Sequence, residues 1–220
     1  MSNLPGMTRR LLWVAVFGVA FALVEASVVV YLRSLYYPEG FTLPLKAINP
    51  AHLTVELLRE AATIVMLVAV GALAGSGGWE RFAYFLVGFG VWDLFYYIWL
   101  KAFLDWPERL TDWDILFLLP VPWIGPVIAP VLISLVMIAS GTLVVARLEQ
   151  QKFFRPGLLS WGFSVLGTAI ILFSFVADTR ATLQLHQPEP YRYGFLAVGL
   201  ALYGVAIVVS CMKSLAVSRE

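Results

Sequence analysis

The sequence predicts an all-α fold, a polytopic transmembrane bundle of about six spanning helices, and three observations predict it. Hydrophobic residues make up 60% of the chain and charged residues 13%, which is more apolar surface than one soluble core of 220 residues can bury. Six stretches, at 11–32, 54–75, 82–103, 124–146, 158–177 and 193–212, reach the ~20 mostly apolar residues needed to cross a bilayer. A proline-rich stretch before the fourth is unsuited to undisturbed helix and predicts a bent or re-entrant segment there. No repeat, glycine-rich phosphate loop or soluble domain interrupts the pattern. Residues 1–220 therefore read as a single integral membrane domain with the lipid bilayer as its first partner.

The first span follows Arg9-Arg10, and Ala20-Phe21-Ala22 resembles a signal-peptidase site. The apolar run nevertheless continues to Leu32, broken only by Glu25, and is too long for a secretory signal core; it is expected to remain as a helix. Asn49-Pro50 marks the start of the second span, in which His52, Glu56 and Glu60 recur every four residues. That spacing lays them along one helical face, with Thr63 nearby. Farther on, Gly71 and Gly75 form a small-xxx-small pair suited to close packing.

The third span contains GFGVWDLFYYIWLK, which sets Asp93 among Trp92, Phe95, Tyr96, Tyr97 and Trp99. Asp93, Tyr97 and Lys101 share one face. Trp99 and Tyr37 read as interfacial belt residues, whereas Trp92 is deeper than a belt residue should be. Before the fourth span, Pro120, Pro122, Pro126 and Pro130 cannot all sit in one regular helix. Non-helical backbone at membrane depth requires protein or a wet cavity beside it, so this segment is expected to help wall a cavity. An interfacial loop anchored by Trp106, Trp113 and Trp123, leading into a proline-kinked helix, satisfies the same pattern. The last two spans carry little chemistry. Cys211, the single cysteine, excludes an intramolecular disulfide and any multi-cysteine metal site and reads as a small buried apolar side chain.

An even number of crossings puts both termini on one side. Lys and Arg divide almost evenly between the two faces, but the short basic connection ARLEQQKFFRPG tips the positive-inside rule toward cytoplasmic termini in a plasma or inner membrane. The formal net charge of +1 provides no polybasic field and excludes nucleic acid as a partner.

Glu25, Glu56, Glu60 and Asp93 all fall in the middle or outer half of their spans, with Arg59 the one base among them. Arg33 and Lys101 lie nearer the boundary, where long side chains snorkel to water. A charge near the centre of a span costs about 2.5–3.5 kcal/mol on insertion scales. Crowded carboxylates must therefore take up protons, bind a cation or recruit the peripheral bases.

The expected site is an acid-lined polar pocket toward the outer face, formed by Glu25, Glu56, Arg59, Glu60, Trp92, Asp93, Tyr96 and Tyr97. Its expected occupant is a small ligand, a cation or a partner subunit, including a second copy of the chain. Trp92 suits a flat or isoprenoid lipophilic ligand, and core packing is the other account of it. Three alternatives use the same residues. One is a membrane-embedded enzyme acting on a lipid or isoprenoid, with Asp93 or Glu25 as general acid/base and Tyr97 assisting. Another is a proton-coupled transporter. The third is a purely structural network in which Arg59 pairs with Glu56 and with Asp93 or Glu25.

No cofactor can be read from the sequence. His52 and Glu56 are candidate metal donors, but one HxxxExxxE string falls short of the paired ExxH motifs of bundle di-metal sites. His52 and His186 are the sole pair for a bis-histidine haem. Ser140-Gly141 lacks the GxSxG context of a serine hydrolase, and Glu56-Leu-Leu-Arg59-Glu60 lacks the deep histidines that glutamate-dependent intramembrane proteolysis also needs.

Overall fold

A computed structural model describes residues 6–43, 46, 48–150, 156–184, 186 and 189–217, with side chains described as far as 210 except at 181 and 182. The side chain of Cys211 therefore lies outside the described ones. Among the described residues six helices are long and apolar enough to cross a membrane: α1 (Gly6–Tyr36), α2 (Pro50–Ala74), α3 (Gly78–Leu104), α4 (Ile128–Glu149), α5 (Leu158–Val176) and, after a short α6 (Thr179–Leu183), α7 (Tyr193–Val217). The chain is an integral, multi-pass membrane protein. Its outer surfaces agree, since Leu73 and Leu158 are 86% and 91% exposed and large apolar side chains left open in such numbers suit lipid rather than water.

Helix α3 is the hub and packs against α1, α2 and α4. The contact with α4 is at backbone distance, because a Cβ on Gly90 would lie 2.6 Å from the Ser134 carbonyl oxygen and one on Gly141 would lie 2.5 Å from that of Ala83. The Gly71 and Gly75 pair does the same for α2, where added Cβ atoms would meet Arg81 backbone at 2.8 and 2.5 Å. Helix α2 starts as its sequence suggests, with the Asn49 side chain accepting the Ala51 N–H at 2.9 Å and proline at the first helical position. Helix α5 packs on α7, and this pair meets the other four helices chiefly through a hairpin strand, with few contacts between α7 and α4.

One end of the bundle holds the start of α1, the start of α3 and the end of α4. There Arg10 bridges to Glu80 at 2.9 Å and the Met7 N–H donates to Glu149 at 3.3 Å. The opposite end carries the proline-rich segment, which bends back on itself as the sequence predicts. The fourth helix begins at Ile128 instead of 124, and the residues before it form an antiparallel hairpin of β1 (Trp113–Phe117) and β2 (Trp123–Pro126). Asp114 faces Gly125 and Ile115 faces Ile124, with an irregularity in register before Phe117.

The reason is donor supply. Pro120 and Pro122 sit in the turn and Pro126 closes β2, so the N–H groups they lack are not needed by a helix. Pro130 falls in the first turn of α4, where the missing donor leaves nothing unpaired and no kink follows. The N–H groups of Val127 and Ile128 donate to the carbonyls of Asp112 and Leu110 at 2.9 and 2.7 Å, fastening the hairpin base to the helix start. Trp113 packs edge-on against Tyr191 with centroids 6.0 Å apart, and Trp123 stacks on Phe175 at 6.5 Å. Both rings are half-buried and pack on α5 and on the residues just before α7. Trp99 and Tyr37 are likewise more than belt residues, since the Trp99 indole donates to the Val19 carbonyl at 3.1 Å and the Tyr37 hydroxyl accepts the Lys46 N–H at 2.8 Å.

Candidate functional site beneath the hairpin

A cavity of about 420 Å³ lies at the hairpin end, walled by α1, the first turns of α2, the second half of α3 and strand β1. All eight residues expected from the sequence line it: Glu25, Glu56, Arg59, Glu60, Trp92, Asp93, Tyr96 and Tyr97. Helix periodicity brings them there. Glu56, Glu60 and Thr63 are buried along one face of α2, and Trp92, Tyr96 and Tyr97 are buried on α3.

Arg59 joins two helices. Its Nε donates to Glu56 at 2.9 Å, and its terminal nitrogens donate to Glu56 and to Glu25 of α1. The Thr63 hydroxyl donates to the second Glu25 oxygen at 3.3 Å. Glu60 is held differently, its two oxygens accepting the Leu118 N–H of the hairpin at 3.0 and 2.9 Å. Asp93 accepts the Ser134 hydroxyl of α4 at 2.6 Å. Among the described residues neither Glu60 nor Asp93 has a salt-bridge partner.

Arg33 departs from the sequence reading. It was expected to snorkel, yet it is 8% exposed and donates to Asp114 of β1 at 2.9 Å. Its guanidinium lies over the rings of Trp106 and Phe41, 3.7 and 4.5 Å from their centroids; the aromatic faces replace the water that a snorkelling arginine would reach. Lys101 does point outward. It bridges to the exposed Asp105 at 2.8 Å and so leaves the face it shares in sequence with Asp93 and Tyr97.

Asp114 is 2% exposed, and its second oxygen has no hydrogen-bond partner. Burial raises its carboxyl above the usual aspartate range despite the neighbouring Arg33. Trp92 is 4% exposed and packs against Phe21 and Phe89 at 6.3 and 5.3 Å, and its indole N–H likewise has no acceptor. Trp92 is thus packed in an aromatic cluster and also borders the cavity.

His52 is exposed, and its Nδ1 shares a 2.6 Å hydrogen bond with the Tyr36 hydroxyl. It does not line the cavity. His186 is exposed as well. Among the described residues no three His, Cys, Asp or Glu side chains are grouped as metal ligands.

Sequence reasoning missed Asp114, Lys46 and Ser134. Asp114 had a signal, an acid alone within the apolar string WDILF. Lys46 had none, and Ser134 is one of many helix serines. With these included, the cavity lining holds five carboxylates (Glu25, Glu56, Glu60, Asp93, Asp114) and three bases (Arg33, Lys46, Arg59). Comparison with known proteins finds no matching family model, no matching curated protein and no matching solved structure.

Proposed function

We propose that this protein is a membrane-embedded binding protein whose hairpin-covered cavity holds a small ligand, with both termini cytoplasmic so that the cavity opens toward the outer face. The observation that carries the reading is the charge imbalance around one cavity, five carboxylates against three bases. A network whose only role was to fix helix packing would be expected to balance its charges and fill its volume. The cavity size also falls within the ~300–1,000 Å³ typical of ligand sites. For the orientation, the support is the basic ARLEQQKFFRPG stretch of the sequence, which follows the end of α4 farthest from the hairpin.

Native mass spectrometry, absorption spectroscopy and elemental analysis of detergent-purified protein test the binding reading. One small molecule or ion retained per chain without turnover is the expected result, and Val29→Trp, which fills the lining, should release it. A Glu108→Cys label that reacts with an impermeant maleimide from outside intact cells, in a Cys211→Ser background, tests the orientation.

A second reading is an enzyme acting on a lipid or isoprenoid. Glu25 is committed to Arg59 and Thr63, while Asp93 has a single neutral donor, so Asp93 would be the general acid/base with Tyr97 on the same wall. Conversion of a lipophilic substrate would establish it over binding. Flux in vesicles that Asp93→Asn abolishes would instead establish transport.

A further inference from the structure

The identity of the occupant can be narrowed by asking what the cavity walls lack. The Arg59 guanidinium faces two carboxylates and the Arg33 guanidinium faces one. The remaining cation, Lys46, lies over the Tyr37 ring with its ammonium 5.0 Å from the centroid. Glu60 and Asp93 are left with neutral donors, one backbone N–H and one hydroxyl. Asp114, nine-tenths buried and more, adds an oxygen without a hydrogen-bond partner among the described residues, with the Tyr97 side chain and the Ile115 backbone beside it. Positive charge and N–H donors are therefore in short supply.

A compact metal ion does not match this geometry. Hard cations gather six or more oxygens within about 2.6 Å, and here the acids are spread over α1, α2, α3 and β1, with Arg59 holding Glu25 and Glu56, the Leu118 N–H holding Glu60, Ser134 holding Asp93 and Arg33 holding Asp114, and with no three grouped as ligands among the described residues. The walls between the acids are aromatic, with Tyr36, Tyr37, Trp92, Tyr96, Tyr97 and Phe117 on the lining. An aromatic wall with dispersed negative charge is what an ammonium group on an apolar body requires, since ring faces attract the cation and the apolar part is desolvated by the same surfaces. The protein already uses this chemistry on its own side chains at this spot, with Arg33 over Phe41 and Lys46 over Tyr37.

Resting on the binding reading above, we infer that the ligand is an organic cation, a protonated amine or quaternary ammonium carried on an apolar or aromatic body. Its charged group lies between Asp93 and Glu60, and where that group is a protonated amine its N–H groups reach Asp114. An acceptor on the same body would satisfy the Trp92 indole.

The test uses the full chain in zwitterionic nanodiscs, with empty nanodiscs as the partitioning control. Isothermal titration compares phenethyltrimethylammonium, 2-phenylethylamine, 2-phenylethanol and 3-phenylpropionate. Both cations should bind saturably and ~10-fold or more tighter than the alcohol, with the carboxylate weakest. The paired substitution Asp93→Asn with Glu60→Gln should weaken the cations by a similar factor and leave the alcohol unchanged. The ranking in the unaltered protein stands on its own if that variant fails to fold.

Equal affinity for amine and alcohol, or preference for the carboxylate, overturns the inference and leaves the binding reading in place. Stoichiometric displacement of the amines by calcium chloride overturns it in favour of a metal ion. Saturable binding by neither cation also overturns it, and the retained-molecule measurement then decides the binding reading separately.

Discussion

The protein contains two internal spaces of similar size that are held together in opposite ways. Beneath the hairpin, the ~420 Å³ cavity is bordered by charges whose partners come from other elements: Glu25 with Arg59, 34 residues apart, Glu60 with Leu118, 58 apart, and Arg33 with Asp114, 81 apart. Between the α3–α4 wall and the α5–α7 pair lies a crevice of about 350 Å³, lined by Phe82, Leu86, Met137, Trp161 and Ile207 and dotted with hydroxyls. Those hydroxyls mostly turn back on their own helices. Ser140 donates to the Val136 carbonyl at 2.6 Å, Thr168 to Ser164 at 2.8 Å and Ser210 to Ala206 at 2.8 Å.

A hydroxyl can be satisfied one turn back along its own helix, whereas Glu25, Glu60, Asp93 and Asp114 each take a donor from another element. Charges therefore cross-link the hairpin end, while the crevice is set by shape and by one hydroxyl pair, Thr168 of α5 with Tyr203 of α7 at 2.5 Å. The difference explains why α5 and α7 meet the other helices so sparingly.

Substitutions can break this contrast, and the largest effect belongs to Arg59. Arg59→Met should leave Glu25 and Glu56 buried without a cation and cost about 3–5 kcal/mol, read by thermal unfolding in detergent; a loss under ~1 kcal/mol would show that water or protons already serve these acids. Arg33→Met should cost nearly as much for the same reason. Adding Asp114→Leu should recover most of that loss, and failure to recover it would mean that the aromatic packing of Arg33, not its charge, carries the contact.

Gly90→Val forces α4 away from α3 and should cost roughly 1–3 kcal/mol, with the Asp93 hydrogen bond to Ser134 lost alongside. Ser134→Ala removes only that bond and should cost about 1–2 kcal/mol. Smallest of all is Ser160→Ala in the crevice. The Ser160 hydroxyl is 2% exposed and has no partner, so its removal should change stability by no more than ~0.5 kcal/mol or raise it. A marked loss there would reveal a polar contact across the crevice to α3 or α4 and erase the distinction.

How much of this was legible in the sequence follows the same divide. Spans could be read from length and hydropathy, although α1 runs on to Gly6 and Tyr36 beyond the apolar stretch, because helix continues past the point where hydrophobicity stops. The meeting of Glu56 and Glu60 on one face of α2 was legible from four-residue spacing, and so was that of Asp93 and Tyr97 on α3, although Lys101, placed with them by the same spacing, turns away to Asp105. The hairpin was not. Four prolines announced that something other than regular helix stood there, but strand pairing is a non-local choice and WDILFLLPVPWIGP has too short an alternation to declare it. Nor could the partner of Arg33 be found, since a basic residue near a helix end normally reaches water and the ring faces that enclose it come from Phe41 and Trp106.

The spacing of those ion pairs along the chain also sets a schedule for synthesis. Helix α1 carries both Glu25 and Arg33, and neither partner exists when it is made; Arg59 follows with α2, and Asp114 only after α3 is complete. The first helix is thus finished by later ones in order, one acid neutralised by the second helix and one base by the hairpin. A nascent chain halted before residue 114 would display an unmatched arginine at the rim of an uncovered cavity, a feature by which quality control could tell it from the finished protein.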